Sequence, residues 1–140
     1  MYWEFTDGTK IEKTRENMLN LVVKMYNDMI ENEIYFKKKS NTILKCTDWI
    51  NSDCFACDFL DSQETFVTFH SVIKNCEKCP FSIYKDKEKF SYSCIQGKSP
   101  YRMYEEILED YIEDDDLSKS DKKKIRKICF EICQLFIDAE

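Results

Sequence analysis

Two tight cysteine pairs constrain this chain more than any other feature. Cys54 and Cys57 are two residues apart, as are Cys76 and Cys79, and eighteen residues separate the pairs. A Cys-x2-Cys pair lets both sulfurs of one turn face a single point, while backbone amides of the turn stabilise the negative sulfurs. Two such pairs at this spacing supply four soft ligands in a tetrahedron at about 2.3 Å, which suits zinc. A zinc held by four thiolates has no open position for water, so the expected Zn2+ is structural and contributes directly to folding. Cys94 follows Cys79 by fifteen positions and could replace one of the four, most readily Cys54 or Cys57. The expected ligands are therefore four of Cys54, Cys57, Cys76, Cys79 and Cys94. His70 is another substitute, although a lone His near apolar residues is more often packed or on the surface. Cys46, Cys129 and Cys133 read as small buried hydrophobes.

The metal reading depends on the compartment. Eight cysteines in an exported chain would make four disulfides, whereas in a reducing compartment paired cysteines more often hold metal. The start, Met1-Tyr2-Trp3-Glu4-Phe5, lacks a basic segment followed by an apolar stretch and does not read as a secretory signal. Met1 itself speaks against a trimmed leader, so a cytoplasmic location is expected. No run approaches the roughly 18 apolar residues of a membrane span. Arg occurs only at 15, 102 and 126 and Ala only at 56 and 139, while Ile is abundant. AT-rich codons produce that bias, which hints at a low-GC bacterium or its mobile elements.

The 140 residues fit one domain, and 43% hydrophobic residues suffice for a packed core. Gly and Pro occur twice each, too few for the turns of a many-stranded sandwich. The expected class is α+β, mainly helical, with three to four helices, a short N-terminal hairpin and an inserted zinc-knuckle segment (51–98) with short strands. Asp7-Gly8 between Trp3, Phe5 and Ile11 signals a two-residue hairpin turn; a capping box from Thr9 to Glu12 is the competing reading. Thr14 caps a helix expected over 15–37, with Met18, Val22, Met25, Tyr26, Met29 and Ile30 on one face. A shorter helix is expected from Ser40 or Asn41 to about Ile50. In the middle section a strand is expected over Thr65–Ile73, and a hairpin from Phe81–Tyr84 and Lys89–Cys94. Ser99-Pro100-Tyr101 opens a helix with Tyr101, Tyr104, Leu108, Tyr111 and Ile112 on one face. Ser118 and Asp121 cap the final helix, whose stripe is Ile125, Ile128, Cys129, Ile132, Leu135 and Phe136.

Catalytic constellations do not emerge. Gly8 and Gly97 are isolated, so no phosphate-cradling loop is built. Any Cys–His or Ser–His–Asp scheme would rest on His70 alone. Neither Cys-x-x-Cys pair sits in the β-α-β pattern of a redox centre. The chain therefore reads as a binding protein, not an enzyme, with a zinc enzyme of three protein ligands as the least favoured alternative. Charge is its second informative feature. Net charge is −6, but Glu105 to Asp116 holds eight acids and no base, and Lys119 to Lys127 holds six bases and one acid. The bland account is solvated helix faces. The functional one is a partner-binding acidic surface formed by Glu105, Glu106, Glu109, Asp110, Asp114, Asp115 and Asp116. Lys85, Lys87 and Lys89 beside Phe90 and Tyr92, or the Lys122–Lys127 helix, are candidate nucleic-acid contacts.

Cys54-Phe-Ala-Cys57, Cys76-Glu-Lys-Cys79-Pro80-Phe81, Cys94 and Ser99-Pro100-Tyr101 together resemble a signature of small phage and mobile-element zinc-knuckle proteins, over about residues 49–112. The resemblance implies a phage- or element-encoded protein with no defined activity. By analogy with small phage proteins that bind host machinery, it implies a host-protein partner such as a defence effector, in the manner of anti-CRISPR proteins.

Overall fold

A computed structural model describes residues 1–50, 53–62, 78–84, 93–112 and 116–139. The described residues are mainly helical with one small sheet, as the sequence leads one to expect. The N-terminal hairpin pairs β1 (Tyr2–Glu4) antiparallel with β2 (Lys10–Glu12), setting Trp3 opposite Ile11. Its turn is one residue wider than Asp7-Gly8 alone. The Gly8 amide donates to the Phe5 carbonyl at 2.9 Å, and the Phe5 amide donates to the Thr9 carbonyl at 2.9 Å. Gly8, with φ of +87°, takes the left-handed position that closes such a three-residue loop. The free edge of β1 is covered by the segment around Cys46, through amide–carbonyl bonds Thr6–Lys45 and Thr47–Glu4.

Helix α1 (Arg15–Glu31) begins where Thr14 accepts a hydrogen bond from the Asn17 amide at 3.2 Å. It stops six residues short of the expected end because Glu33 turns left-handed, with φ of +53°. The chain then makes a 3-10 turn at Lys37–Lys39, and α2 (Asn41–Leu44) is a single helical turn capped by Ser40. That turn replaces the longer helix expected to reach Ile50. A second left-handed residue, Asp53 (φ +49°), leads into α3 (Phe55–Ser62). The described part of the middle section is thus helical rather than stranded: after α3 come 3-10 turns at Pro80–Tyr84 and Ser93–Ile95. Phe81–Tyr84 is not a hairpin strand, and the segments 63–77 and 85–92, which include the Thr65–Ile73 strand expectation, lie outside the described residues. Gly97 is required where it stands. Its φ is +57°, and a Cβ there would meet the Tyr84 carbonyl oxygen at 3.1 Å.

Helix α4 (Pro100–Leu108) starts on Pro100 as expected, but Ser99 makes no side-chain capping bond. The helix buries Tyr101 and Tyr104 and ends before Ile112, which is 86% exposed instead of sharing their face. Helix α5 (Lys119–Asp138) opens where Ser118 accepts from the Asp121 amide at 3.1 Å, and buries Ile125, Ile128, Cys129, Ile132, Cys133 and Phe136. It lies antiparallel along α1: Arg126 donates to the Ile30 carbonyl at 3.1 Å, and the Cys133 thiol to the Val23 carbonyl at 3.7 Å. These two helices supply most of the core, and α4 packs on α5. Tyr104 ties α4 to the lysine turn. Its hydroxyl donates to the Tyr35 carbonyl at 2.7 Å and accepts from the Lys37 amide at 3.1 Å. Tyr104→Phe removes both bonds with little change in volume. It should cost about 1–3 kcal/mol, read as a lower urea midpoint at unchanged m.

Candidate metal centre

The N-terminus of α3 carries the first cysteine pair. Cys54 precedes the helix and Cys57 lies in its first turn, so the Ala56 and Cys57 amides have no helical acceptor and turn towards the Cys54 sulfur. The Cys57 thiol also donates to that sulfur, and Lys37 adds a nearby positive charge. The Cys57 bond is the largest effect; together these hold the Cys54 thiol down to about 6 against the opposing effect of burial. The same hydrogen bond, then burial, pushes Cys57 up. Cys94 and Cys79 also act electrostatically on Cys57, and Cys54 and Cys94 act on Tyr101. Four of the five expected ligands thus lie within electrostatic range of one another, on three separate pieces of chain: α3, the turn entering Pro80–Tyr84, and Ser93–Ile95. The two 3-10 turns pack against each other, and Ser93–Ile95 packs on α4.

The surroundings fix this arrangement. Phe55, between the two cysteines, is fully buried and meets the Trp3 ring edge-on at 5.5 Å. Asp58, next to Cys57, accepts from Trp3 Nε1 at 2.8 Å and from Lys13 Nζ at 3.1 Å, with both charged side chains about 85% covered. Arg15 donates to the Lys78 carbonyl at 3.2 Å, holding the chain just ahead of Cys79. Phe81 packs between Tyr101 and Phe136, its ring 5.3 Å from that of Phe136. The hairpin, α1, α4 and α5 thus all brace the thiol cluster.

The donor set fits a soft divalent metal: sulfur ligands, one already favoured as thiolate, with amides supplying outer hydrogen bonds. Among the described residues, no group of three or more His, Cys, Asp or Glu side chains is closed to ligation geometry. Cys76 and His70 lie outside those residues. Cys129 and Cys133 behave differently from Cys54. Both are buried in the α1–α5 seam, and burial pushes their thiols up to about 12 and about 11. They are core residues, and the Cys46 thiol is also raised by burial.

The charged candidates divide. Glu105, Glu106, Glu109 and Asp110 are exposed along and just beyond α4, and Asp116 is exposed ahead of α5. Asp114, Asp115, Lys85, Lys87 and Lys89 lie outside the described residues. Glu106 pairs with Arg102 at 3.0 Å, and the Tyr101 hydroxyl bonds Glu105. A cleft of about 350 Å³ separates this helix from the lysine turn, lined by Phe36, Lys37, Lys38, Tyr101, Glu105 and Glu109 among others. Sequence reasoning missed Lys37 as a neighbour of the thiols, because nothing local links residue 37 to residue 54. Comparison with family models, curated proteins and solved structures finds no match in any of the three. Among the described residues no helix is long and apolar enough to cross a membrane.

Proposed function

We propose that this chain is a small zinc-stabilised binding protein that acts by stoichiometric association with a host protein, such as a defence effector, through a charged surface, and turns over no substrate. The observation that carries this reading is the mounting of α4. Its buried tyrosines fix it to the core beside the thiols, while Glu106 and Asp110 stand exposed on the outer side and Glu105 and Glu109 at the rim of the cleft. A rigid base under a block of like charge suits recognition of a basic partner. Such a block steers encounter and sets specificity more than it adds affinity. Zinc, when bound, would hold the base together through four of Cys54, Cys57, Cys76, Cys79 and Cys94.

The test reverses Glu106, Glu109 and Asp110 to Lys together. These side chains are exposed, and the Glu106–Arg102 pair is worth at most about 1 kcal/mol, so the melting temperature should stay within a few degrees. A host protein captured by the wild type, purified and titrated against both forms, should bind the variant about tenfold more weakly or worse. A variant that binds and inhibits like the wild type removes the acidic face from the mechanism.

A further inference from the structure

A second charged surface, distinct from the acidic face of α4, is assembled only by folding. The Lys37–Lys39 turn and the Lys119–Lys127 stretch are about eighty residues apart in sequence. The antiparallel packing of α1 on α5 brings them to one flank. There the Lys122 ammonium sits 5.5 Å from the centre of the Tyr35 ring, two residues before the lysine turn. Aromatic rings alternate with the cations across this flank. Lys39 lies 5.5 Å from the Phe36 ring, and the Arg126 guanidinium 5.9 Å from the Phe130 ring, which is 53% exposed. Nine cations share these two segments, against one acid within them, Asp121, and two at the end of α1, Glu31 and Glu33. Asp121 is itself engaged by the Tyr111 hydroxyl and by Lys124. Glu105 and Glu109 face Lys37 and Lys38 across the cleft, so the positive field is strongest on the α5 side.

We propose that this flank binds single-stranded nucleic acid. Phosphates neutralise the lysines, and an unstacked base lies on the exposed Phe130 ring, with the half-buried Tyr35 and Phe36 beside the cations. Flat rings set among cations match a strand whose bases are free to stack, and offer nothing to a duplex whose bases are already stacked. The net charge of −6 does not oppose this, because charges more than about 8 Å away are largely screened at physiological salt. The proposal is independent of the acidic-face reading, since the two surfaces share no residue.

The test is fluorescence anisotropy of a labelled oligouridine of about 20 nucleotides, titrated with intact, metal-replete protein. The expected result is binding at about 50 mM salt that weakens as salt rises, with a log–log slope of about −0.7 per phosphate neutralised. Lys38→Glu, Lys123→Glu and Lys127→Glu combined should weaken it about tenfold or more, while the matching Lys→Arg variant retains it. All three side chains are exposed, and circular dichroism confirms that each variant is folded. Phe130→Ala should weaken binding about fivefold or more, what one base–ring stack supplies, without changing the salt slope. The Glu106/Glu109/Asp110 reversal should leave binding intact or strengthen it, which separates this proposal from the protein-partner reading. Absence of binding at low salt overturns the inference. So does binding that survives the lysine reversal, or equal affinity for duplex DNA with no effect of Phe130→Ala.

Discussion

A zinc chelator added to the reduced protein should abolish its cooperative melt or lower the midpoint by about 15 °C or more. The size of the effect rests on two comparisons. Structural zinc sites bind with apparent free energies of about 10–16 kcal/mol, while a whole domain is stable by only about 5–15 kcal/mol. Losing even about 5 kcal/mol, at roughly 3 °C per kcal/mol for a chain of this size, gives the stated drop. The thiol cluster is not an appendage whose loss stays local. Phe55 packs on Trp3, and Phe81 on Phe136, so the same residues that position the cysteines also fill the core. Metal analysis of reduced protein should give one zinc per chain, and four of the five variants Cys54→Ser, Cys57→Ser, Cys76→Ser, Cys79→Ser and Cys94→Ser should each lose it. The one variant that keeps the metal identifies the cysteine that is not a ligand. Cys129→Ala should keep the metal, since its thiol is buried in the helix seam. A metal-free protein whose melt ignores the chelator would end the zinc proposal; thiols found paired would replace it with a disulfide scaffold.

Asp58→Ala should cost about 3–5 kcal/mol, as much as truncating a buried core aromatic. The carboxylate is the shared acceptor of Trp3 Nε1 and Lys13 Nζ. Removing one member of a largely buried ion pair leaves the other charge uncompensated, which is where that magnitude comes from. The Trp3 indole N–H loses the same acceptor, a further contribution of about 1–2 kcal/mol. The double change Lys13→Met with Asp58→Ala removes both charges and should recover more than half of the loss in a urea titration. If the double variant is as unstable as the single one, the cost lies in the indole bond or in helix α3, and not in the stranded lysine.

Signals confined to a few residues were legible in the sequence. Thr14 and Ser118 cap the helices they were expected to cap, and the stripe from Ile125 to Phe136 is the buried face of α5, except that Cys133 is buried there and Leu135 only half-buried. The hairpin stands where Asp7-Gly8 places it, one residue wider in the loop. The errors arose where distant contacts overrode local preference. Residues 54–62 carry a cysteine pair that favours a turn and have no strong cap, yet they form α3 because Phe55, Ala56 and Leu60 find a core formed by Trp3 and α1. Helix α1 ends early at a left-handed glutamate, a conformation that side chains rarely adopt and that no local sequence signal announces. For the candidate site, spacing supplied the cysteines, but the brace around them was invisible: Asp58 finds Trp3 at a separation of 55 residues. The alternation around Phe90, Tyr92 and Cys94 resembles a strand, but Ser93–Ile95 forms a 3-10 turn packed on the turn at Pro80–Tyr84.

The antiparallel seam between α1 and α5 also governs how the chain can be made. Val23 meets Cys133 across 110 positions, so the apolar side of α1, with Met18, Val22, Met25 and Met29, has no lasting cover until α5 clears the ribosome. The hairpin, α1 and α3 emerge long before and can dock on one another through Trp3, Phe55 and Asp58. At a synthesis rate of about 5–20 residues per second, the methionine face stays open for several seconds, the interval in which nascent chains aggregate or recruit chaperones. A premature stop anywhere before α5 would therefore release a sticky hairpin–helix fragment rather than a smaller working protein.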